Sequence, residues 1–333
     1  MAFKEPGAEF LLLTDKTQRL SLPGNVAIRT IPSFHHWFPF ATAQKIKRIL
    51  REWNPDGMVV ASGEYPLSVS IPLSIIYTEA VHQQKRLLQR KQLLRDRNRA
   101  RFLVFPSQET AALWQQLGTL TATQLHIIAP VASPSFTAKS PAEKEQYRAQ
   151  YAARHSYFML SGLPQSAEEF TGLLKAFSAF KKRQQSSMKL LIPFDLLQYF
   201  PRYSDQLDTY KYRDELIITG EIGTDTRAGL AAAAYALIMT ESSGLAEAFV
   251  MESLQAGTPL LIPRTAAAET IAGPSALYTL PDSTQDLAEK MMLIYKDETL
   301  RNQLIAQGQL QKSIADPEKH CSAFAQLLKA LAS

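Results

Sequence analysis

The chain has 333 residues, long for one core and comfortable for two, and its 46% hydrophobic and 20% charged content is ordinary for globular domains. A single cysteine, Cys321, excludes an internal disulfide framework and suits a reducing compartment. No apolar run approaches the roughly 20 residues of a spanning helix, and nothing at the start reads as a secretory leader. The expectation is a cytoplasmic protein. A net charge of +5 is modest and does not by itself point to nucleic acid.

Short apolar runs alternate with helical patterns through the first half. Phe10–Thr14 and Val26–Thr30 read as strands, Ala43–Trp53 as a helix, and Gly57–Ala61 as a strand behind the turn signal Asn54-Pro55-Asp56. Leu73–Tyr77 is the next strand. A basic segment follows, in which Lys85, Arg86, Arg90, Lys91, Arg95, Arg97, Arg99 and Arg101 are opposed only by Asp96. Leu87, Leu88, Leu93 and Leu94 interleave with these charges and make residues 85–101 a basic amphipathic helix. Either its leucines pack on the first domain, or it docks on an anionic membrane leaflet. Nucleic acid is the weakest reading, because no stacking platform or recognised module accompanies the charge. Phe102–Phe105 and Gln124–Ile128 flank the helix Glu109–Leu117. Strands that alternate with helices imply a parallel sheet.

The Pro- and Ser-bearing stretch from Ala132 to Pro141 precedes a polar helix, Ala142–Arg154. The domain boundary is expected here, which gives domains of residues 1–150 and 151–333. The second half repeats the pattern, with strands at Tyr157–Leu160, Lys189–Pro193, Leu216–Thr219, Ala236–Met239 and Leu260–Ile262. An Ala-rich helix covers roughly Arg227–Ala234, further helices cover Ser283–Tyr295 and Glu298–Gln309, and a last one covers roughly Cys321–Ala332. The fold class read from this order is α/β, two doubly wound domains in tandem.

Several runs of the second half carry a family resemblance. Gly220, the Ala-Tyr-Ala-Leu-Ile strand, Met251-Glu252-Ser253, Gly257-Thr258-Pro259, Glu269 and Gly273-Pro274-Ser275-Ala276-Leu277 resemble the donor half of family-4-type glycosyltransferases. Those enzymes carry "EAMA-x-G-x-P" and "E-x-x-G-x-A-x-L" runs at this spacing. The likeness continues upstream through Phe158–Gly162 and Leu173–Phe177, and more loosely through Val104–Thr110. It implies the GT-B fold, two Rossmann-like domains facing across a cleft, with the last helix packing back across the domains. The chain opens on the "P-x-x-x-F" step (Pro6 to Phe10) that normally enters the second strand, so the family's first βα unit is expected to be missing.

The resemblance also implies a site. Glu252 aligns with the glutamate that accepts hydrogen bonds from the donor ribose; as an ordinary helix glutamate it would only complement the helix start. The family's other glutamate aligns with Gly244, beside Leu245, leaving Glu241 or Glu247 to serve through a shifted loop. Backbone at Gly162 and Gly257-Thr258 is expected to line the cleft, and Arg264 either reaches into it or lies on the surface. The family's "G-R-x-x-x-x-K" run places two cations at the diphosphate, whereas this chain has Gly162-Leu163 and then Glu168. Loss of one preorganised charge of that kind typically costs about 3–4 kcal/mol in catalysis. On the acceptor side, Glu79 or His82 would orient a hydroxyl; an ordinary polar loop is the competing reading.

Other chemistries fall away. His35-His36-Trp37 has no Cys, Asp or Glu at ligand spacing, so no metal site is expected. No phosphate-binding G-x-x-x-x-G-K-[ST] loop, G-x-G-x-x-G turn or Ser-His-Asp signature is present. The leading expectation is a retaining, metal-independent glycosyltransferase without a bound cofactor. It would use a UDP- or GDP-sugar and a cell-envelope glycan or glycolipid acceptor, with residues 85–101 touching the inner membrane face. Its rival is a non-catalytic member of the same fold that acts as a partner subunit, with a nucleotide-sugar epimerase as a third option.

Overall fold

Among the described residues every strand pairing is parallel, and the strands divide into three sheets. The structure, a computed structural model, describes residues 8–14, 24–31, 39–60, 71–77, 86–164, 166–196, 203, 207–240, 246–312 and 317–333.

The first unit runs β1 (Phe10–Thr14), β2 (Val26–Thr30), α1 (Pro39–Trp53), β3 (Met58–Val60), β4 (Leu73–Ile76), α2 (Arg86–Arg97), β5 (Phe102–Phe105), α3 (Gln108–Gln115) and β6 (Leu125–Ile127). β3 to β6 form a four-stranded sheet in sequence order, while β1 and β2 pair only with each other. The single parallel sheet expected of this half is therefore two sheets among the described residues. β1 and β2 are half-buried to exposed throughout, whereas β5 is buried at all four positions, so the apolar faces of this unit gather on the four-stranded sheet.

That sheet is covered on both faces. Leu103 and Phe105 point to one side, against Leu93 of α2 and Ala111 and Trp114 of α3. Phe102 and Val104 point to the other, as the period of two along a strand requires. Asp96 explains how a basic helix is seated here. It is fully buried, accepts a 2.7 Å hydrogen bond from the Tyr77 hydroxyl and pairs with Arg95 at 2.8 Å. Gln89, Leu93 and Asp96, spaced four and three apart, form the inward stripe, while Leu87 and Leu88 stay 76% and 69% exposed. The leucines are thus split between the two readings of this helix.

The second unit runs α4 (Pro141–Ala152), β7 (Tyr157–Leu160), α5 (Ala167–Gln184), β8 (Lys189–Ile192), β9 (Leu216–Ile218), α6 (Thr224–Ala233), β10 (Ala236–Ile238), α7 (Ala246–Ala256), β11 (Leu260–Pro263), α8 (Ala266–Ala272), β12 (Ala276–Thr279), α9 (Thr284–Lys296), α10 (Glu298–Gln311) and α11 (Pro317–Ala332). Its six strands lie in the order β12-β11-β10-β7-β8-β9. This is the doubly wound order, which reverses between β7 and β10. Phe158, Leu160, Leu190, Ile192 and Ile238 face α5 and α9, while Met159, Leu191, Leu237, Leu260 and Ile262 face α6 and α7. Continuous apolar runs such as Leu190–Ile192 follow from burial on both faces.

Two helices cross the expected boundary. α4 starts at a capping box, Ser140 with Glu143, and packs Tyr147, Tyr151 and Ala152 against the second core. Gly229 of α6 makes this possible: a Cβ there would stand 2.0 Å from the Tyr147 ring. α11, which reaches a few residues further upstream than its apolar pattern marks, returns to the first unit. Its Leu327 and Leu331 pack on Phe102 and Val104, and Leu331 touches the space where a Gly57 Cβ would be.

Candidate functional site

In a parallel sheet the loops that leave the carboxyl ends of the strands share one edge, and ligands collect where the strand order reverses. In the second unit that point lies between β7, which leads to Gly162, and β10, which leads to residues 241–245 and α7. The carboxyl edge of the first sheet faces it. Ser107 follows β5 and caps α3, accepting from the Thr110 backbone N–H at 3.1 Å.

Glu247 joins the two edges. Its Oε1 accepts from Thr110 Oγ1 at 2.7 Å and from Ser107 Oγ at 3.1 Å, across the units. The residue is 1% exposed, and Oε2 is buried without a hydrogen-bond partner among the described residues. Burial pushes this carboxyl above its ordinary range, against the pull of the two hydroxyls. Glu247, expected to serve a donor sugar through a shifted loop, is engaged with the first unit in this structure. Its carboxylate is turned to the opposite unit and sealed from solvent, because it lies in the first turn of α7, directly against the α3 cap.

Glu252 lies six residues along α7, about 9 Å from its first residue. Arg227, in the first turn of α6, grips its carboxylate with Nη1 and Nη2, both at 2.6 Å. The guanidinium also lies 4.8 Å over the Phe136 ring. Burial raises the Glu252 carboxyl while Arg227 draws it down, and burial prevails. Both oxygens of the residue expected to meet a ribose are thus engaged by Arg227.

Gly162 is buried after β7, and a Cβ on it would come within 3.0 Å of the Phe249 ring of α7. Close approach of backbone and ring is what the glycine allows here. Glu168, which stands where a phosphate-binding lysine was sought, is exposed in the first turn of α5. Arg264 follows β11 at the carboxyl edge. It is exposed, paired with Glu269 and stacked 5.1 Å over Tyr278, so its guanidinium is already engaged. Close by, Thr270 Oγ1 donates to Glu109 at 2.8 Å and adds a further bond between the units.

Gly257 and Thr258 are corrected. They precede β11 and therefore sit at the amino edge of the sheet, away from the switch point. Gly257 adopts a left-handed φ of 68° after α7, and the Thr258 hydroxyl donates to the Ala231 carbonyl at 2.8 Å. Their role is to turn the chain from helix to strand. Glu79, His82, Gly244 and Leu245, with Glu241 and the His35-His36 pair, lie outside the described residues. Among the described residues no group of three His, Cys, Asp or Glu could hold a metal ion, and no helix is long and apolar enough to cross a membrane.

Arg227, Ser107 and Thr110 were not read as partners of the two glutamates. Arg227 did carry a signal, as the one cation in an otherwise Ala-rich helix. The cross-unit hydroxyls carried none, because only the facing of the two units brings them to Glu247.

Two α/β units whose strand ends face each other, with the closing helix returned to the first unit, are the GT-B architecture. The solved structures that resemble the chain share it. HepE of Anabaena, solved with UDP and glucose, superposes with a TM-score of 0.77 at 14% identity, over 97% of this chain and 99% of that one. WaaG, a glycosyltransferase involved in lipopolysaccharide biosynthesis, gives 0.72 at 14% identity over 97% and 99%. Sucrose-phosphate synthase of Thermosynechococcus elongatus gives 0.73 at 13% identity over 97% and 88%. No protein-family model matches the chain, and no curated protein matches it in sequence.

Proposed function

We propose that the chain is a glycosyltransferase that takes a sugar from a nucleotide-diphosphate donor, a UDP-sugar before a GDP-sugar. The observation that carries this reading is the arrangement at the switch point: Gly162 after β7 packs on Phe249 of α7 where the strand order reverses, and Glu252 is buried three residues further along the same helix. Glu252 would accept from the ribose hydroxyls once Arg227 withdraws. Backbone N–H groups at Gly162 and at the start of α7 would receive the diphosphate. Residues 241–245 would face the sugar, Arg264 would stand at the rim, and Glu79 or His82 would orient the acceptor hydroxyl. By family analogy the reaction retains configuration and uses no metal. HepE was solved with UDP-glucose, which favours uridine.

The acceptor we infer is a cell-envelope glycan or a lipid-linked sugar, with α2 resting on an anionic leaflet. Leu87 and Leu88 are exposed beside exposed Arg90 and Lys91, the chemistry of an interfacial helix. WaaG acts in lipopolysaccharide biosynthesis, which agrees with such an acceptor.

A second reading, a partner subunit without transferase activity, draws on the Arg227–Glu252 pair. A ribose-binding carboxylate already gripped by two nitrogens must release a strong pair before it can bind. Calorimetry with UDP and GDP on the chain and on Glu252→Ala separates the readings. Micromolar UDP binding that the variant loses supports the donor site. No binding at millimolar nucleotide, in the chain and in Arg227→Ala alike, refutes it and leaves the partner reading.

A further inference from the structure

A second concave site lies at the opposite edge of the second sheet. Lys139, Pro141, Lys144, Arg148 and Arg301 line a cavity of about 250 Å³. Arg148 Nε donates to the Ala233 carbonyl at 3.2 Å, and Arg301 Nε donates to the Tyr235 carbonyl at 3.1 Å. Those carbonyls precede β10, so the cavity is separated from the switch-point cleft by the length of that strand.

Four cations meet here, and their counter-charges are weak or turned outward. Lys139 is 3.9 Å from Glu143, and Arg148 is 3.8 Å from Glu145, which pairs more closely with Arg154. Arg301 pairs with Glu298 at 2.8 Å on the exposed side. Lys144, half-buried between the two arginines, has no carboxylate partner among the described residues. Lys144, held beside two arginines without an anion of its own among the described residues, is repelled by them unless something negative sits there. The backbone carbonyls and the Tyr235 ring, 4.5 Å under Arg301, fix the planes of the guanidinium groups. Both Nη2 atoms carry no hydrogen bond among the described residues. Fixed forks beside a lysine match tetrahedral oxyanions, and the volume exceeds that of one phosphate group.

We propose that this cavity binds a phosphate-bearing small molecule, with Lys144, Arg148 and Arg301 holding the phosphate. The site is independent of the donor cleft and of the transferase reading. Its chemistry is shared by soluble phosphate esters and by phospholipid headgroups.

The test is calorimetric titration of the full chain with inorganic phosphate in low-salt, phosphate-free buffer. Parallel arms use Lys144→Gln, Lys144→Glu and Lys182→Glu. Lys182 is exposed on α5, and its variant changes net charge as Lys144→Glu does. Saturable binding should weaken by at least about tenfold in both Lys144 variants, the loss of one charge-assisted bond, and stay unchanged in Lys182→Glu. Sedimentation with phosphatidylcholine vesicles, with and without phosphatidylglycerol, identifies the source. Lys144-dependent binding to the anionic vesicles without saturation by free phosphate assigns a headgroup, and the reverse assigns a soluble ester. Binding in neither arm, or binding that the Lys144 variants and Lys182→Glu change alike, overturns the proposal. Melting curves and UDP titration of each variant report separately on folding and on the donor cleft.

Discussion

Glu247 of the second unit accepts a 2.7 Å hydrogen bond from Thr110 of the first, and its other carboxyl oxygen is buried with no partner among the described residues. A carboxyl so placed favours its neutral form, and its titration in the folded chain lies above the ordinary value of 4.5. The folded state therefore holds a proton that the unfolded state has released, and stability falls as pH rises through this window. Glu247→Gln keeps the acceptor and removes the charge. Its melting temperature should match the parent below about pH 4.5, where both are neutral, and exceed it at pH 8. A parent that melts higher at pH 8 would show that the ionised carboxylate is the form the interface needs.

The Arg227–Glu252 pair should behave as a coupled unit. Removing either partner leaves a charge stranded in a mostly buried setting. Each single alanine variant is expected to lose about 3 kcal/mol in denaturant unfolding, below the upper end for such pairs because Arg227 keeps some solvent contact. The double variant should lose clearly less than the sum, which a double-mutant cycle reads directly. Simple additivity would mean the two side chains do not depend on each other in solution.

Gly162→Ala sets a methyl group against the Phe249 ring at 3.0 Å, closer than ordinary contact. The loop or the ring must shift, at about 1–3 kcal/mol. Adding Phe249→Leu, which makes room, should recover most of the loss. Thermal unfolding of the three variants checks this, and a stable Gly162→Ala protein would contradict the tight packing.

Leu331 holds the closing helix to the first unit through Phe102 and Val104. Leu331→Ala should cost about 2–4 kcal/mol and should expose α11 to limited proteolysis before either core unfolds. Uniform resistance to cleavage in the variant would show that Leu327 and Phe324 suffice.

Much of this architecture was legible from pattern. Phe102–Phe105 and Tyr157–Leu160 read as strands with the bounds they have, because unbroken apolar runs bounded by polar turns leave little choice. The Ala-rich α6 began three residues earlier than read, since Thr224, Asp225 and Thr226 belong to its polar first turn. Gly257-Thr258 was misplaced for a topological reason. A conspicuous motif marks a turn, but only strand direction says which edge of the sheet that turn occupies.

The sequence by itself determined the alternation of strands and helices and the α/β class. These follow from local periodicity and from residue types that act over a few positions. Tertiary structure alone decided that Arg227 grips Glu252, that Glu247 reaches Ser107 and Thr110, and that Lys144 stands between Arg148 and Arg301. Apart from Lys144 and Arg148, one turn apart on α4, those pairings join residues 25 to about 160 positions apart in the chain. What each charged group does depends on the partner that chain topology delivers and on how much water remains between them, and neither is written in the neighbouring residues.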